Sequence, residues 1–160
     1  MKPLKTNLRE MKTVAKCLKK KVMDMVTPDG KNIYKNIKGH ENEINYELYD
    51  LMPDKTGLKN LILNMNIIHK EKVNSQNKMT TGHSHAAQEE IYIFLKGSGK
   101  MILIGPKNEK YEFDVKPEDI ITVPKRFWHR VVNTGTEDLV FINIFTGDTM
   151  PKSRTIFARK

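Results

Sequence analysis

Glu90-Ile91-Tyr92-Ile93-Phe94-Leu95, closed by Lys96-Gly97-Ser98-Gly99, has the period of two that marks a strand running into a tight turn. The same pattern spreads outward in both directions. Ile44 to Tyr49, Leu61 to Ile68, Met101 to Ile104, Tyr111 to Val115, Ile120 to Val123, His129 to Asn133 and Leu139 to Phe145 all read as short strands. Gly105-Pro106-Lys107-Asn108, Lys116-Pro117-Glu118-Asp119 and Asn133-Thr134-Gly135-Thr136 supply turns between them. Many short strands at regular spacing, with no helical period between them, predict an all-β antiparallel sandwich or barrel. Leu139 to Phe145 is apolar on both faces. One face of such a strand lines the barrel, and the other packs on a second sheet, a helix or another subunit.

The first 30 residues read differently. Leu8, Met11, Ala15, Leu18, Val22 and Met25 recur in steps of three and four, which predicts an amphipathic helix with Lys12, Lys16, Lys19 and Lys20 on its polar side. A helix laying its stripe on the domain is favoured over one for a membrane surface or nucleic acid, because the stripe has no Trp or Phe anchor. Thr27-Pro28-Asp29-Gly30 ends it in a turn. The expected organisation is a single domain, with residues 1–30 as helix and turn packed on a barrel of residues 31–160.

The chain of 160 residues carries a formal charge of +9, but the charge is unevenly placed. Residues 1–21 hold +7 and residues 152–160 hold +4, leaving 22–151 at −2. A polyanion-binding barrel is therefore not indicated, and no nucleic-acid partner is expected. No run approaches the roughly 20 apolar residues of a membrane-spanning helix, and no secretory signal pattern is evident. With the single cysteine, Cys17, this predicts a cytoplasmic protein without a membrane partner.

His83-Ser84-His85 precedes the opening strand, and a spacing of two on extended chain turns both imidazoles to one side. Glu90 begins the strand five residues later, and His129 follows Pro124-Lys125-Arg126-Phe127-Trp128. Three imidazoles and a carboxylate suit one divalent transition metal, Fe, Mn, Ni, Zn or Co, with positions left for substrate oxygens. Strand alternation and the position of Gly97 favour Glu90 over Glu89 as the carboxylate. His40 and His69 are read as ordinary surface or core histidines. Lys125, Arg126, Arg130 and Arg154 are candidates for a positive rim that meets a small anion.

The run Gly82-His83-x-His85-x4-Glu90-x6-Gly97 resembles the first motif of the cupin superfamily. Glu118-Asp119-Ile120-Ile121-Thr122-Val123-Pro124-x4-His129-x3-Asn133 resembles the second, with Glu118 and Arg126 where the family often has glycine. The resemblance implies a double-stranded β-helix, or jelly-roll barrel. Further likeness, through Tyr46-Glu47-Leu48-Tyr49, Thr80-x-Gly82, Glu90-x-Tyr92 and Trp128-His129-Arg130, is to the archaeal cupin-type glucose-6-phosphate isomerases. It implies metal ligands at His83, His85, Glu90 and His129, and substrate contacts at Tyr46, Thr80, Gly82 and Tyr92, with Arg126 and Arg154 as added anion contacts. Glu90 and Tyr92 would carry the chemistry. Three departures stand out: a loop two residues shorter between the histidine pair and Glu90, Phe127-Trp128-His129 in place of a Tyr-Trp-x-His run, and Ser153 or Arg154 in place of a late tyrosine.

The implied activity is metal-dependent aldose–ketose isomerisation of a sugar phosphate, through an enediol or a hydride shift. An Fe(II)-dependent dioxygenase and a non-catalytic sugar-binding cupin are the alternatives. A homodimer is expected by the same resemblance.

Overall fold

The computed structural model describes residues 16–27, 29–51, 61–70 and 72–146. Nine strands are formed there: β1 (Lys16–Lys21), β2 (Ile44–Asp50), β3 (Leu61–Ile68), β4 (Glu90–Lys96), β5 (Gly99–Ile104), β6 (Lys110–Val115), β7 (Ile120–Val123), β8 (Trp128–Asn133) and β9 (Leu139–Thr146). All named pairings are antiparallel. They make a six-stranded sheet in the order β1-β2-β3-β9-β4-β7 and a three-stranded sheet in the order β6-β5-β8. The chain crosses between sheets after β4, after β6, after β7 and after β8, the winding of a jelly roll.

Period-two alternation decides what faces inward. On β4 Glu90, Tyr92 and Phe94 are buried, while Ile91 and Leu95 are exposed. Phe94 and Phe141 of the large sheet pack with Met101, Leu103 and Val131 of the small one, so the core lies between the sheets. The β4–β5 turn needs a glycine. Gly97 has φ +80°, and a Cβ there would approach the Asp138 carbonyl oxygen to 2.5 Å.

The expected N-terminal helix is corrected for the residues described. Lys16–Lys21 is a strand that pairs with β2, and a single 3-10 turn, Val22–Asp24, follows it. Helix propensities differ by only about 0.7 kcal/mol per residue among ordinary side chains, so a free sheet edge that offers a row of backbone hydrogen bonds overrides them. The apolar spacing is met in another way: Val22 and Met25 are buried in the core, but Leu18 of the supposed stripe is half exposed. Residues 1–15 of the expected helix lie outside the described residues. The turn after it is present, with the Gly30 N–H donating to Thr27 O and the Thr27 N–H to Lys31 O.

Candidate metal centre

The segment from Lys78 to His85 belongs to neither main sheet, yet it carries two of the four candidate ligands. Two devices hold it. It bridges to β8, Met79 opposite Val132 and His83 opposite His129. Beyond that, a buried polar cluster ties it to Tyr34 and to the start of β2. The Tyr34 hydroxyl donates to Asn45 Oδ1 (2.7 Å) and accepts the Met79 N–H (3.0 Å), and Asn45 Nδ2 donates to the Met79 carbonyl (2.7 Å). The side chain of Lys78 is buried, with Nζ at 3.0 Å from Glu43 Oε2 and 3.1 Å from the Ile44 carbonyl. A buried ammonium persists only with such partners.

Gly82 is buried against the indole of Trp128, which occupies the space a Cβ would need. This close approach lets His83 and His129 meet. Trp128 is fixed from its other neighbours by the Arg130 guanidinium, 5.0 Å from the ring centre.

His83, His85, Glu90 and His129 offer one ligand atom each, all within 4.8 Å of one another. His83 Nδ1 donates to the Thr81 carbonyl and His129 Nδ1 to the Phe127 carbonyl, both at 3.1 Å. In that tautomer each Nε2 keeps a lone pair for a ligand. The Nε2 atoms of His85 and His129 and both carboxylate oxygens of Glu90 are buried with no hydrogen-bond partner, although His85 Nε2 touches Glu90 Oε1 and His129 Nε2 lies 3.5 Å from Glu90 Oε2. Buried orphan acceptors and lone pairs converging on one point are the donor set of a divalent transition ion, and the residues fit that group. Glu89, by contrast, is exposed.

Charge in the cluster follows from burial and from neighbours. Burial, reinforced by His129, pushes the His83 imidazole down to about 4, so it is neutral and able to ligate at pH 7. Burial opposes ionisation of Glu90, but the adjoining His129 and His85 imidazoles outweigh it and hold the carboxyl below its ordinary range. Tyr92 is raised well above 10 by burial and by the adjacent Glu90 carboxylate, and its hydroxyl stays protonated.

The cluster opens into a cavity of 330 Å³ lined by the large sheet and the segment from Thr80 to His85. Tyr46, Thr80, Glu90 and Tyr92 of the expected site line it, with His83 and His85. Gly82 is not among the lining residues, and its role is the close packing on Trp128. Arg126 is not brought there either. It is exposed at a left-handed turn (φ 69°), where its N–H donates to the His85 carbonyl (2.7 Å). Arg154 lies outside the described residues. The cation that does line the cavity is Lys20, half-buried on β1 opposite Tyr46 and without an ion-pair partner among the described residues. Asn64, Asn66 and Asn143 line it as well. The sequence carried no signal for these three, since an alternating asparagine reads as an outward position. Asn133 of the second motif instead has a structural role, its Nδ2 donating to the carbonyls of Ile68, His69 and Glu137.

A family model described as glucose-6-phosphate isomerase matches residues 19–158. Glucose-6-phosphate isomerase from Pyrococcus horikoshii is 34% identical over 111 residues, covering 68% of this chain and 58% of that protein. The Pyrococcus abyssi enzyme is 34% identical over 122 residues, covering 74% and 64%. The chain thus matches about three-fifths of the length of these curated relatives. Among solved structures, a Lactobacillus farciminis oxalate decarboxylase aligns with a TM-score of 0.56 at 21% identity, over 69% of this chain and 31% of that one. A cupin-2 domain from Rhodospirillum rubrum aligns at 0.52 and 19%, over 64% and 60%. At these identities the structures speak for the fold alone, and the fold is the cupin barrel.

Proposed function

The chain belongs to the glucose-6-phosphate isomerase family, and from that premise we propose that it interconverts an aldose phosphate and its ketose, with one divalent transition ion held by His83, His85, Glu90 and His129. Glucose 6-phosphate and fructose 6-phosphate are the pair to test first. The observation that carries the reading is the cavity, which joins the ligand cluster to a lone cation. Glu90 on β4 and Lys20 on β1 both line it, at its two ends across the large sheet. One open-chain substrate can set its carbonyl end at the first and its phosphate at the second.

When bound, the ion would serve as a Lewis acid on the substrate's carbonyl and hydroxyl oxygens, making the neighbouring C–H acidic. The protein's own groups do the rest. Glu90, held ionised, accepts the proton from one of C1 and C2 and returns it to the other. Tyr92, kept protonated two residues along the same face, donates a hydrogen bond to a substrate oxygen. At the far end Lys20 pairs with the phosphate. Thr80 Oγ1, which accepts the Val131 N–H at 3.1 Å, retains its own proton to donate, and the Tyr46 hydroxyl lies nearby, 3.4 Å from Thr81 Oγ1.

A coupled assay of the two hexose phosphates tests this. Metal-dependent turnover that disappears in His129→Ala supports it. Oxygen consumption with reduced iron, or stoichiometric sugar-phosphate binding without turnover, replaces it with a dioxygenase or a binding protein. The same reading carries a homodimer paired through the outer face of the large sheet, where Ile91, Leu95 and Ile120 are exposed. Light scattering showing a single 18.6 kDa species would remove the dimer. Cys17 is a free thiol, which supports a cytoplasmic setting.

A further inference from the structure

β3 and β9 place asparagines among their inward-facing residues, in line with Ile68 on β3 and with Phe141 and Phe145 on β9. Asn64 and Asn66 face the interior while Met65 and Ile67 lie on the opposite face, and Asn143 faces inward between Ile142 and Ile144. Asn64, Asn66 and Asn143 are 1%, 4% and 7% exposed. Asn66 Nδ2 donates to Asn143 Oδ1 at 2.7 Å, which occupies that oxygen and leaves the Asn143 NH2 as its available side. Asn64 is directly opposite Asn143, and Asn143 directly opposite Tyr92, so amide, amide and phenol form one cross-strand row beside Glu90. The Asn64 Oδ1 is buried and has no hydrogen-bond partner. A barrel interior does not retain an unpaired amide oxygen for packing, because an apolar side chain of the same shape would fill the place without that penalty.

We infer that the Asn64–Asn143 pair reads the interior hydroxyls of the substrate chain, Asn64 Oδ1 accepting from one hydroxyl and Asn143 Nδ2 donating to its neighbour. Cross-strand partners hold their Cβ atoms about 5 Å apart, which suits adjacent hydroxyls on an extended polyol. The pair therefore selects a polyhydroxylated chain over an equally long, equally charged chain without hydroxyls. The inference rests on the sugar-phosphate reading above and adds the element that discriminates within it.

Calorimetric binding to the metal-loaded full chain separates the two ideas, using two ligands that cannot be isomerised. D-Glucitol 6-phosphate carries the interior hydroxyls, and 6-hydroxyhexyl phosphate has the same length and charge without them. The native protein is expected to bind the glucitol phosphate more tightly. In Asn64→Leu that ligand should lose about 10-fold in affinity while the hydroxyhexyl phosphate changes by less than about 2-fold. Asn64→Ala serves the same comparison with a smaller side chain, and each variant is first matched to the native protein in thermal unfolding. An unchanged preference in folded variants overturns the amide inference and leaves the isomerase reading standing. Failure of the native protein to bind either phosphate overturns both.

Discussion

His83 and His129 are paired through the backbone as well as through their rings. The His83 N–H donates to the His129 carbonyl at 3.2 Å, the His129 N–H returns the bond at 2.8 Å, and the ring centres lie 4.4 Å apart. A two-residue antiparallel bridge thus fixes two ligands before any ion is present. Removing one of them should leave the barrel folded and the ion lost. His129→Gln is expected to lower metal retention by about 100-fold or more, read by elemental analysis after gel filtration, with the far-ultraviolet spectrum unchanged. In the native protein, loading Fe, Mn, Ni or Zn should raise the unfolding midpoint, since the ion binds a preformed site.

Gly82 controls the same bridge from below. Gly82→Ala sets a methyl group into the Trp128 indole. The expected cost is about 1–3 kcal/mol of stability in chemical denaturation, accompanied by weaker metal binding because His83 is the next residue. Equal stability and equal metal content would contradict the packing role.

Lys20 is the lone cation lining the cavity among the described residues. Lys20→Met keeps the length and apolar stem of the side chain and deletes its charge. KM for a phosphorylated sugar should rise about 10-fold, as expected for one charged hydrogen bond, with kcat within about 2-fold. Arg126→Met should leave both constants unchanged.

Glu118 and Arg126 stand at φ 77° and 69°, in the left-handed region. Both are positions where the cupin motifs often have glycine. Glu118→Gly is expected to stabilise the fold by about 0.5–1 kcal/mol in urea unfolding, because a side chain in that region carries a steric penalty that glycine lacks.

Glu43 sets a pH dependence. Burial raises its pKa, but hydrogen bonds to His40 and Lys78 prevail and lower it below the usual 4.5. The unfolded chain is then protonated first as pH falls. Its contribution is complete above 4.5 and is lost as pH drops through the lower folded value. The unfolding midpoint should fall as pH drops below about 4.5, and Glu43→Gln should show a shallower slope there.

Strands β2 to β9 were legible because period two survives even where both faces are apolar, and on β6, exposed along most of its length, it shows as Tyr111, Phe113 and Val115 in alternation. β1 was not. Its lysines and its three-to-four spacing suit a helix, and only the unpaired edge of β2, invisible from residues 16–21 themselves, makes it a strand. The cluster of His83, His85, Glu90 and His129 was legible from order and spacing, since extended chain carries both histidines to one side. Cavity polarity was not. Asn64 and Asn143 look like solvent-facing residues, and their place in the cavity appears only when β3 and β9 are paired in the large sheet. Arg126 misled by proximity to His129: the left-handed turn gives its backbone to His85 and its side chain to solvent.

Tyr34, Glu43, Asn45 and Lys78 supply no ligand and do not line the cavity, yet they hold the segment from which His83 and His85 project. Genetic damage should therefore have an unexpected address. Among random variants screened for metal retention, losses should gather at these four positions as densely as around the histidines, in segments that a search centred on the ligand cluster would pass over.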